Sequence, residues 1–221
     1  MLELIIKFLG AYLLGNLLGG EVVGALSGGV NLRSVGSGNI GATNALRTQG
    51  KGFALAVLAI DIFKGVAAVT FIPAIDWHWV ARLYWNPVWQ EYLCGVAVTL
   101  GHCYPLRHRF AGGKGVATLA GVYGALLPWS LPWLLGSFVL VILLTGYASL
   151  ATLTASVMAM FFVACISHDG MFSPAGTFTI VMALLVAWKH RDNIRRLLRG
   201  EESRFERARV LGRRIEQWLS R

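Results

Sequence analysis

Charged residues are scarce in this sequence. Of its 221 residues only 14% are Asp, Glu, Lys or Arg, whereas 56% are hydrophobic and the mean hydropathy is +0.60. About a quarter of the residues are charged in an average soluble domain. The composition therefore excludes a soluble α/β domain and predicts a membrane protein small enough to be one domain.

Several signatures of catalysis and metal binding are also missing. The three cysteines are isolated, so no C-x-x-C pair predicts zinc or a redox site. No G-x-S-x-G nucleophile elbow occurs, and none of the five histidines is followed by Asp five residues later, the H-x4-D device of CoA-dependent acyltransferases. We expect neither a metal nor a cofactor.

One glycine motif suggests a nucleotide site at first sight. Gly36, Gly38 and Gly41 form a G-x-G-x-x-G pattern, and Asp61 follows at the spacing of a ribose-binding acid. That fingerprint requires a buried strand before the glycines. The preceding stretch, Leu4–Leu26, is instead long enough to span a bilayer, which excludes a dinucleotide-binding fold.

Seven apolar stretches are candidates for membrane-spanning helices. The prolines and tryptophans of "PWSLPW" break one long apolar region into two short helices. We therefore predict an all-α integral membrane protein with seven transmembrane helices, which cover Leu4–Leu26, Phe53–Pro73, Val88–Tyr104, Val116–Leu127, Trp129–Tyr147, Leu150–Ser167 and Ala175–Trp188.

Basic residues predict the orientation, because short cytoplasmic loops collect Lys and Arg. Eleven of the twenty basic residues lie from Lys189 onward, whereas the loops on the opposite side hold only Arg82. The N-terminus is therefore expected outside and the C-terminus in the cytoplasm. Both glycine-rich loops then face the cytoplasm together with their basic residues, which are Arg33, Arg47, Lys51, Arg107, Arg109 and Lys114.

These loops, residues 35–47 and 101–118, suit phosphate groups. Glycine allows successive backbone N–H groups to converge on an anion and allows a ligand to approach the main chain. "GGKG" resembles the end of a Walker A motif, but Lys114 is followed by Gly115 rather than Ser or Thr, so ATP binding is unsupported. The alternative is that both loops are simple turns whose basic residues only set the topology.

Ionisable groups inside apolar segments point to a site, because a buried charge in a membrane is costly. Asp61 and Lys64 are three residues apart and share one helix face. They form either a purely structural pair or one that positions the first loop. His102 ends the third helix and is a candidate substrate-binding residue, with a packing role as the alternative.

Four segments together resemble one known family. The segments are "VGSGNIGATNALRTQG…DIFKG", "GHCYP…GGKGVAT", "YASLAT" and "KHRDNIRRLLRGEE". From about Tyr12 to Glu202, the order and spacing of these segments are similar to those of the bacterial acyl-phosphate:glycerol-3-phosphate acyltransferases, the PlsY family. The resemblance implies a seven-helix enzyme of the bacterial cytoplasmic (inner) membrane with its active site facing the cytoplasm. Its reaction, in phospholipid synthesis, moves a fatty acyl group from acyl phosphate to the sn-1 hydroxyl of glycerol 3-phosphate, without metal, CoA or acyl carrier protein.

The resemblance also implies the site residues. The catalytic set is Ser37, Arg47, Lys114 and His190, and the substrate-binding set is Gly36, Gly38, Asn39, Asn44, His102, Gly112, Gly113, Ser149, Thr152 and Asn193. We expect His190 and Asn193 to project from one face of the last helix. Either His190 or a phosphate oxygen of the acyl donor is the general base, and we favour the donor.

This chain departs from the family at several positions. Gly146 and Ala111 replace residues that are often basic, Thr152 replaces a serine, and Lys189 replaces an arginine before His190. Thr152 keeps a hydroxyl group. The two lost positive charges put in doubt any phosphate contact at positions 111 and 146, so Lys114 and Arg47 are expected to carry more of that contact.

The rival hypothesis is a small membrane transporter for a phosphorylated solute, which predicts polar residues through the outer halves of several helices. Those halves are apolar here, and the motifs favour the enzyme.

Residues 1–200 are predicted to form the membrane domain and residues 201–221 a basic amphipathic tail. One helical face of that tail carries Phe205, Ala208, Leu211, Ile215 and Trp218. This pattern indicates a helix on an anionic membrane surface, and the alternative is a solvated tail. Nucleic-acid binding is not expected.

Overall fold

The computed structural model describes residues 2–75, 87–168 and 170–219. Within these ranges the chain forms eleven α-helices and no β-strand, which confirms the all-α prediction. Arg82, the basic residue expected on the outer side, lies outside the described residues. The helices are α1 (Leu2–Gly15), α2 (Gly19–Leu26), α3 (Ala42–Thr48), α4 (Lys51–Ala74), α5 (Pro87–Cys103), α6 (Val116–Leu126), α7 (Leu131–Thr145), α8 (Ala148–Cys165), α9 (Pro174–Lys189), α10 (Arg191–Leu198) and α11 (Val210–Leu219).

The chain divides into two compact units. Unit 1 is Met1–Pro128 and contains α1–α6, and unit 2 is Trp129–Arg221 and contains α7–α11. The expected boundary between a membrane domain at residues 1–200 and a tail at 201–221 stays a prediction.

Several helices are suited to a bilayer. In the described part of the chain, three are long and apolar enough to cross it: Lys51–Ala74, Pro128–Thr145 and Ala148–Cys165. The bent pair of α1 and α2 adds a fourth if it counts as one span, while Val116–Leu126 and Pro174–Lys189 are apolar but shorter. Membrane-spanning helices are therefore present, and the count of seven and the orientation stay predictions.

The first predicted span differs from expectation, because Leu4–Leu26 is not one continuous helix. It breaks after Gly15, and α1 and α2 meet at an angle of 43°. Asn16 stabilises the break, since its side-chain amide donates to the Tyr12 carbonyl at 2.6 Å and its oxygen accepts from the Leu106 N–H at 2.5 Å. A polar side chain that replaces helical hydrogen bonds is a usual cause of a sharp bend.

The buried pair on α4 completes this break. A helix end leaves carbonyl or N–H groups without partners, and its dipole favours a cation at the C-terminus and an anion at the N-terminus. The Lys64 ammonium group donates to the carbonyls of Gly15 and Leu17, at 3.1 and 2.7 Å, at the end of α1. The Asp61 carboxylate accepts from the Gly19 N–H at 3.1 Å, at the start of α2. The pair therefore satisfies both helix ends inside unit 1.

Glycines allow the helices of unit 1 to pack closely. A side chain on Gly65 of α4 would collide with the Thr118 carbonyl of α6, and one on Gly121 of α6 would collide with the Ile62 carbonyl of α4. Small residues at helix contacts are typical of membrane proteins, where close van der Waals packing replaces the hydrophobic driving force. These contacts fix α6, and with it the loop that precedes it, against α4.

In unit 2, His190 interrupts the last predicted helix just beyond the predicted span Ala175–Trp188. It ends α9 and begins α10, with φ −103° and ψ 7°, so His190 and Asn193 do not lie on one continuous helix as expected. The predicted tail helix is also shorter than expected. It begins at Val210, so Phe205 and Ala208 lie in the non-helical segment before it.

Candidate active site

Asn44 organises the first glycine-rich loop. Its amide oxygen accepts from the Ser37 N–H at 3.0 Å. Its amide nitrogen lies within 3.1 Å of three loop carbonyls, those of Leu32, Val35 and Asn39. Because the side chain is buried and bonded to the loop at both ends, the structure gives Asn44 a role in shaping the loop.

The loop presents Ser37 at its turn. Ser37 is exposed between Gly36 and Gly38, which have φ values of 59° and 70°. Glycine adopts this left-handed region without strain, and a side chain on Gly36 would also collide with the Asn44 amide. Arg47, in the last turn of α3, is exposed as well.

The second loop differs from the expected anion nest. The N–H groups of Gly112 and Gly113 donate to the carbonyls of Cys103 and His102, at 3.2 and 3.1 Å. These two N–H groups therefore hold the loop against the end of α5. Lys114 follows them and lies next to the start of α6, where the first N–H groups of a helix lack helical partners.

His102 joins the buried pair of α4 to this loop. Its ring Nδ1 lies 2.8 Å from the Lys64 ammonium nitrogen and 3.4 Å from an Asp61 oxygen. On the other side of the ring, Nε2 occupies the space that a side chain on Gly113 would need. Asp61, Lys64 and His102 are all buried, so a connected polar cluster extends from the helix break to the second loop.

The contact with Lys64 favours one tautomer of His102. Lys64 carries only donors, so a nitrogen 2.8 Å away must accept, which leaves a neutral ring protonated on Nε2. Four acceptors surround the three ammonium protons, since Asp61 Oδ1 is also at 2.8 Å, so one proton is shared. The cluster therefore holds the His102 ring in one orientation, with Nε2 toward the second loop.

Arg33 connects the two loops directly. Its guanidinium donates to the Ala111 carbonyl at 2.5 Å and to Glu21 at 2.8 Å. The other Glu21 oxygen lies 2.7 Å from His108 Nε2. The loops predicted to bind phosphate are therefore linked to each other within unit 1.

A carboxylate that the sequence did not single out organises the predicted residues of unit 2. Glu202 Oε1 accepts from Ser149 Oγ at 2.8 Å and from the Asn193 amide at 2.6 Å, while Oε2 accepts from Arg196 at 2.7 Å. Burial raises the pKa of the Glu202 carboxyl, but the hydrogen bonds from Asn193, Arg196 and Ser149 outweigh it and hold the pKa below its ordinary value. Glu202 therefore brings together Ser149 and Asn193.

The local chain direction explains why Glu202 reaches these groups. Gly200, two residues after the end of α10, has φ +72°. Its N–H donates to the Leu197 carbonyl, and the Glu201 N–H donates to the Arg196 carbonyl. This is the Schellman arrangement, which reverses the chain after a helix. In the sequence the only signal was a pair of glutamates after glycine in a strongly basic segment, "RRLLRGEESR".

His190 and Thr152 bond to nearby backbone. His190 Nδ1 lies 2.9 Å from the Val186 carbonyl, so it carries a proton, and a neutral ring has its lone pair on Nε2. Thr152 Oγ1 donates to the Ala148 carbonyl one turn earlier in α8, at 2.9 Å. The His190 ring is thus oriented through Nδ1, and the Thr152 hydroxyl donates its proton within its own helix.

The central carboxylate of each polar cluster pairs with a side-chain cation. Asp61 pairs with Lys64, and Glu202 pairs with Arg196. Among the described residues no group of three or more His, Cys, Asp or Glu side chains is placed to hold a metal ion.

The sequence is similar to one large family of enzymes. A model of the glycerol-3-phosphate acyltransferase family matches residues 5–200. Among curated relatives, the glycerol-3-phosphate acyltransferase of Geotalea daltonii is 40% identical and the alignment covers 92% of this chain and 98% of the relative. That of Aquifex aeolicus is 41% identical over 88% of this chain and 95% of the relative.

The fold is similar to that of a solved member of this family. The crystal structure of PlsY, an integral membrane glycerol 3-phosphate acyltransferase, in its glycerol 3-phosphate form has a TM-score of 0.76 and 36% identity, and covers 91% of this chain and 95% of that one. The lysophosphatidic acid form has a TM-score of 0.78 and 34% identity, with coverages of 94% and 98%.

Proposed function

The chain belongs to the glycerol-3-phosphate acyltransferase family, and we propose that it transfers a fatty acyl group from acyl phosphate to the sn-1 hydroxyl of glycerol 3-phosphate, giving lysophosphatidic acid and phosphate. The observation that carries this proposal is the likeness, along more than nine tenths of the chain, to an integral membrane acyltransferase crystallised in glycerol 3-phosphate and lysophosphatidic acid forms. Acyl phosphate as the donor, without CoA or acyl carrier protein, rests on the motif resemblance.

In this proposal Arg47, Lys114 and Ser37 bind the phosphate groups. Both substrates are anions, so the site must supply positive charge, and a charge-assisted contact is stronger than a neutral one. Ser37 is exposed on the first loop, and Arg47 is exposed in the last turn of α3. Lys114 adjoins the N-terminus of α6, which itself favours an anion. Gly36, Gly38 and Asn39 shape the first loop, and Gly112 and Gly113 fix the second.

His190, Asn193 and Ser149 bind glycerol 3-phosphate in this proposal. The His190 Nε2 lone pair suits acceptance of a hydrogen bond from a substrate hydroxyl. Phosphate is a good leaving group, so no covalent enzyme intermediate is required, and positioning with charge stabilisation suffices. We assign the general base to a phosphate oxygen of the donor, held beside the attacking hydroxyl, and assign His190 to positioning.

We further propose seven transmembrane helices, an outside N-terminus, a cytoplasmic C-terminus, and an active site facing the cytoplasm from the inner membrane. The distribution of Lys and Arg supports this orientation. A cysteine introduced at Ser34 or Gly200 should react only from the cytoplasmic side, and one at Asp76, outside the described residues, only from the other side. Reaction of Ser34→Cys and Asp76→Cys from the same side would contradict the topology.

The reaction is tested by measuring phosphate release from palmitoyl phosphate by the purified protein, with and without glycerol 3-phosphate. We expect release to depend on glycerol 3-phosphate and to equal the lysophosphatidic acid formed, with no reaction from palmitoyl-CoA. Lys114→Ala is the matched negative control. Equal release without the acceptor, or accumulation of unmodified glycerol 3-phosphate inside sealed vesicles, would favour the transporter instead.

A further inference from the structure

The segment after residue 200, where the match to the family model ends, packs against other parts of unit 2. The Phe205 N–H donates to the Gly146 carbonyl at 2.8 Å. The Arg204 guanidinium lies 4.6 Å from the centre of the Tyr147 ring, within the range of a cation–π contact. The segment therefore touches the turn between α7 and α8 directly before Ser149, while Glu202 contacts Ser149 itself.

The next helix, α11, packs on the end of α7. A side chain on Gly212 would collide with the Leu144 carbonyl, so the two backbones approach closely at that point. Leu144 is in the last turn of α7, one residue before the end of the candidate span Pro128–Thr145. α7 has no buried residue, which is expected of a spanning helix that turns much of its surface to lipid. The contact therefore places α11 at the level where a spanning helix leaves the hydrocarbon.

The side chains of α11 are of the types that favour the membrane interface. Leu211, Ile215 and Trp218 are spaced i, i+4 and i+7, so they lie along one face, beside Gly212. Ile215 and Trp218 are 49% and 73% exposed. Tryptophan is enriched at the membrane interface, and helices with an apolar face and a basic face lie in the interface plane.

Positive charge on α11 indicates the partner. Arg213 and Arg214 are exposed, although one nitrogen of Arg213 donates to the Glu206 carbonyl at 2.5 Å. The acidic residue of this helix, Glu216, is paired with Arg209. Basic residues next to a membrane attract anionic lipid headgroups, with a gain of roughly fivefold in binding for each residue near the surface. The basic face and the exposed apolar face therefore complement the surface of an anionic bilayer.

We propose that α11 binds the anionic phospholipid headgroups of the bilayer through Arg213 and Arg214, while Ile215 and Trp218 on its apolar face insert into the membrane interface. This binding holds the segment of Glu202, Arg204 and Phe205 against Ser149 and the preceding turn, and so favours the geometry that binds glycerol 3-phosphate. The headgroup binding is independent of the proposed function, whereas its effect on KM rests on it.

The test uses the full-length protein in nanodiscs of phosphatidylcholine alone or with about one third phosphatidylglycerol. Hydrogen exchange of residues 205–219, followed by mass spectrometry, should be slower in the anionic discs. Each arginine is expected to contribute roughly fivefold, so R213Q/R214Q should reduce this difference by about an order of magnitude. R213K/R214K, which keeps both charges, should retain it. The KM for glycerol 3-phosphate should fall in anionic discs for the wild type and not for R213Q/R214Q.

Each possible outcome supports or overturns one part of this proposal. Equal exchange in the two lipids, or an unchanged lipid response in R213Q/R214Q, would overturn headgroup binding. A lipid-dependent exchange with a KM that does not depend on lipid would overturn the coupling to the substrate site. Headgroup-dependent exchange in a protein without acyltransferase activity would refute the proposed reaction and leave the surface assignment standing.

Discussion

Asp61 in unit 1 and Glu202 in unit 2 are both carboxylates that gather donors from distant parts of the chain. Asp61 accepts from a backbone N–H 42 residues earlier and contacts Lys64 and His102. Glu202 accepts from Ser149, 53 residues earlier, and from Asn193 and Arg196. The first set includes a backbone N–H at the start of α2, on one side of the helix break, whereas the second consists of side chains, two of them predicted to bind substrate.

This difference teaches where a buried charge contributes to folding and where it contributes to chemistry. Asp61, Lys64 and His102 are all buried, so removal of either charge of the pair leaves the other without compensation inside the protein. The Glu202 cluster reaches water through Arg196, whose side chain is 43% exposed. Loss of Glu202 should therefore change the positions of Ser149 and Asn193 more than it changes stability.

The largest expected effect is that of Asp61→Ala. It leaves the Lys64 ammonium group buried without its anion and the Gly19 N–H without its acceptor, which should cost about 3–5 kcal/mol. We expect a marked loss of folded protein and a lower unfolding temperature, measured by size-exclusion chromatography after heating in detergent.

The matched control for Asp61 is the double variant Asp61→Leu/Lys64→Met, which removes both charges and keeps the volume. The double variant loses the bonds to the helix ends but leaves no uncompensated buried charge, which is the larger cost, so it should be more stable than Asp61→Ala. An Asp61→Ala protein as stable as the wild type would show that the pair does not hold the helix break.

Substitution of Lys114 or Arg47 by Ala should reduce turnover more than tenfold in a protein that still folds. Each is proposed to contact a substrate phosphate, and such a contact contributes about 1.5–3 kcal/mol. Steady-state kinetics measure the effect, with Arg195→Ala, an exposed arginine paired with Asp192, as the control. Near-normal kinetics in both folded variants would contradict the assignment.

Glu202→Gln should have a smaller effect that appears mainly in KM. Glutamine keeps the size and one acceptor but removes the charge that strengthens three hydrogen bonds, so we expect KM for glycerol 3-phosphate to rise about threefold to tenfold. The unfolding temperature should change little. A loss of kcat with unchanged KM would show that Glu202 does not act by positioning substrate-binding groups.

The lowered pKa of Glu202 adds a pH test. An acid with a depressed folded pKa contributes stability above its unfolded value of about 4.3, and loses it as the pH falls through the folded value. Local stability of residues 196–205, measured by hydrogen exchange, should therefore fall below about pH 4 in the wild type. Glu202→Gln should show no such step.

The sequence predicted the elements better than their junctions. Hydropathy and basic residues placed the apolar helices and the two loops, because these signals are local. The break after Gly15 was missed because it is stabilised by Lys64 and Asp61, which approach from another helix. The contact of Glu202 with Ser149 was missed for the same reason. The glycine pair at 112–113 was recognised, but whether its N–H groups point to a ligand or to carbonyls depends on the position of α5.

The smallest effect is expected at Glu21, a third carboxylate that bridges two groups. It lies 2.8 Å from Arg33 and 2.7 Å from His108, but its side chain is 33% exposed. Partly exposed ion pairs contribute about 0–1 kcal/mol and are weakened by salt. Glu21→Gln should therefore change KM by less than about fivefold, and the difference from wild type should shrink as salt is raised in the kinetic assay. Arg33 keeps its bond to the Ala111 carbonyl in this variant, so the link between the loops persists in part. A tenfold or greater loss that does not respond to salt would place Glu21 with Asp61, as a charge on which the loop structure depends.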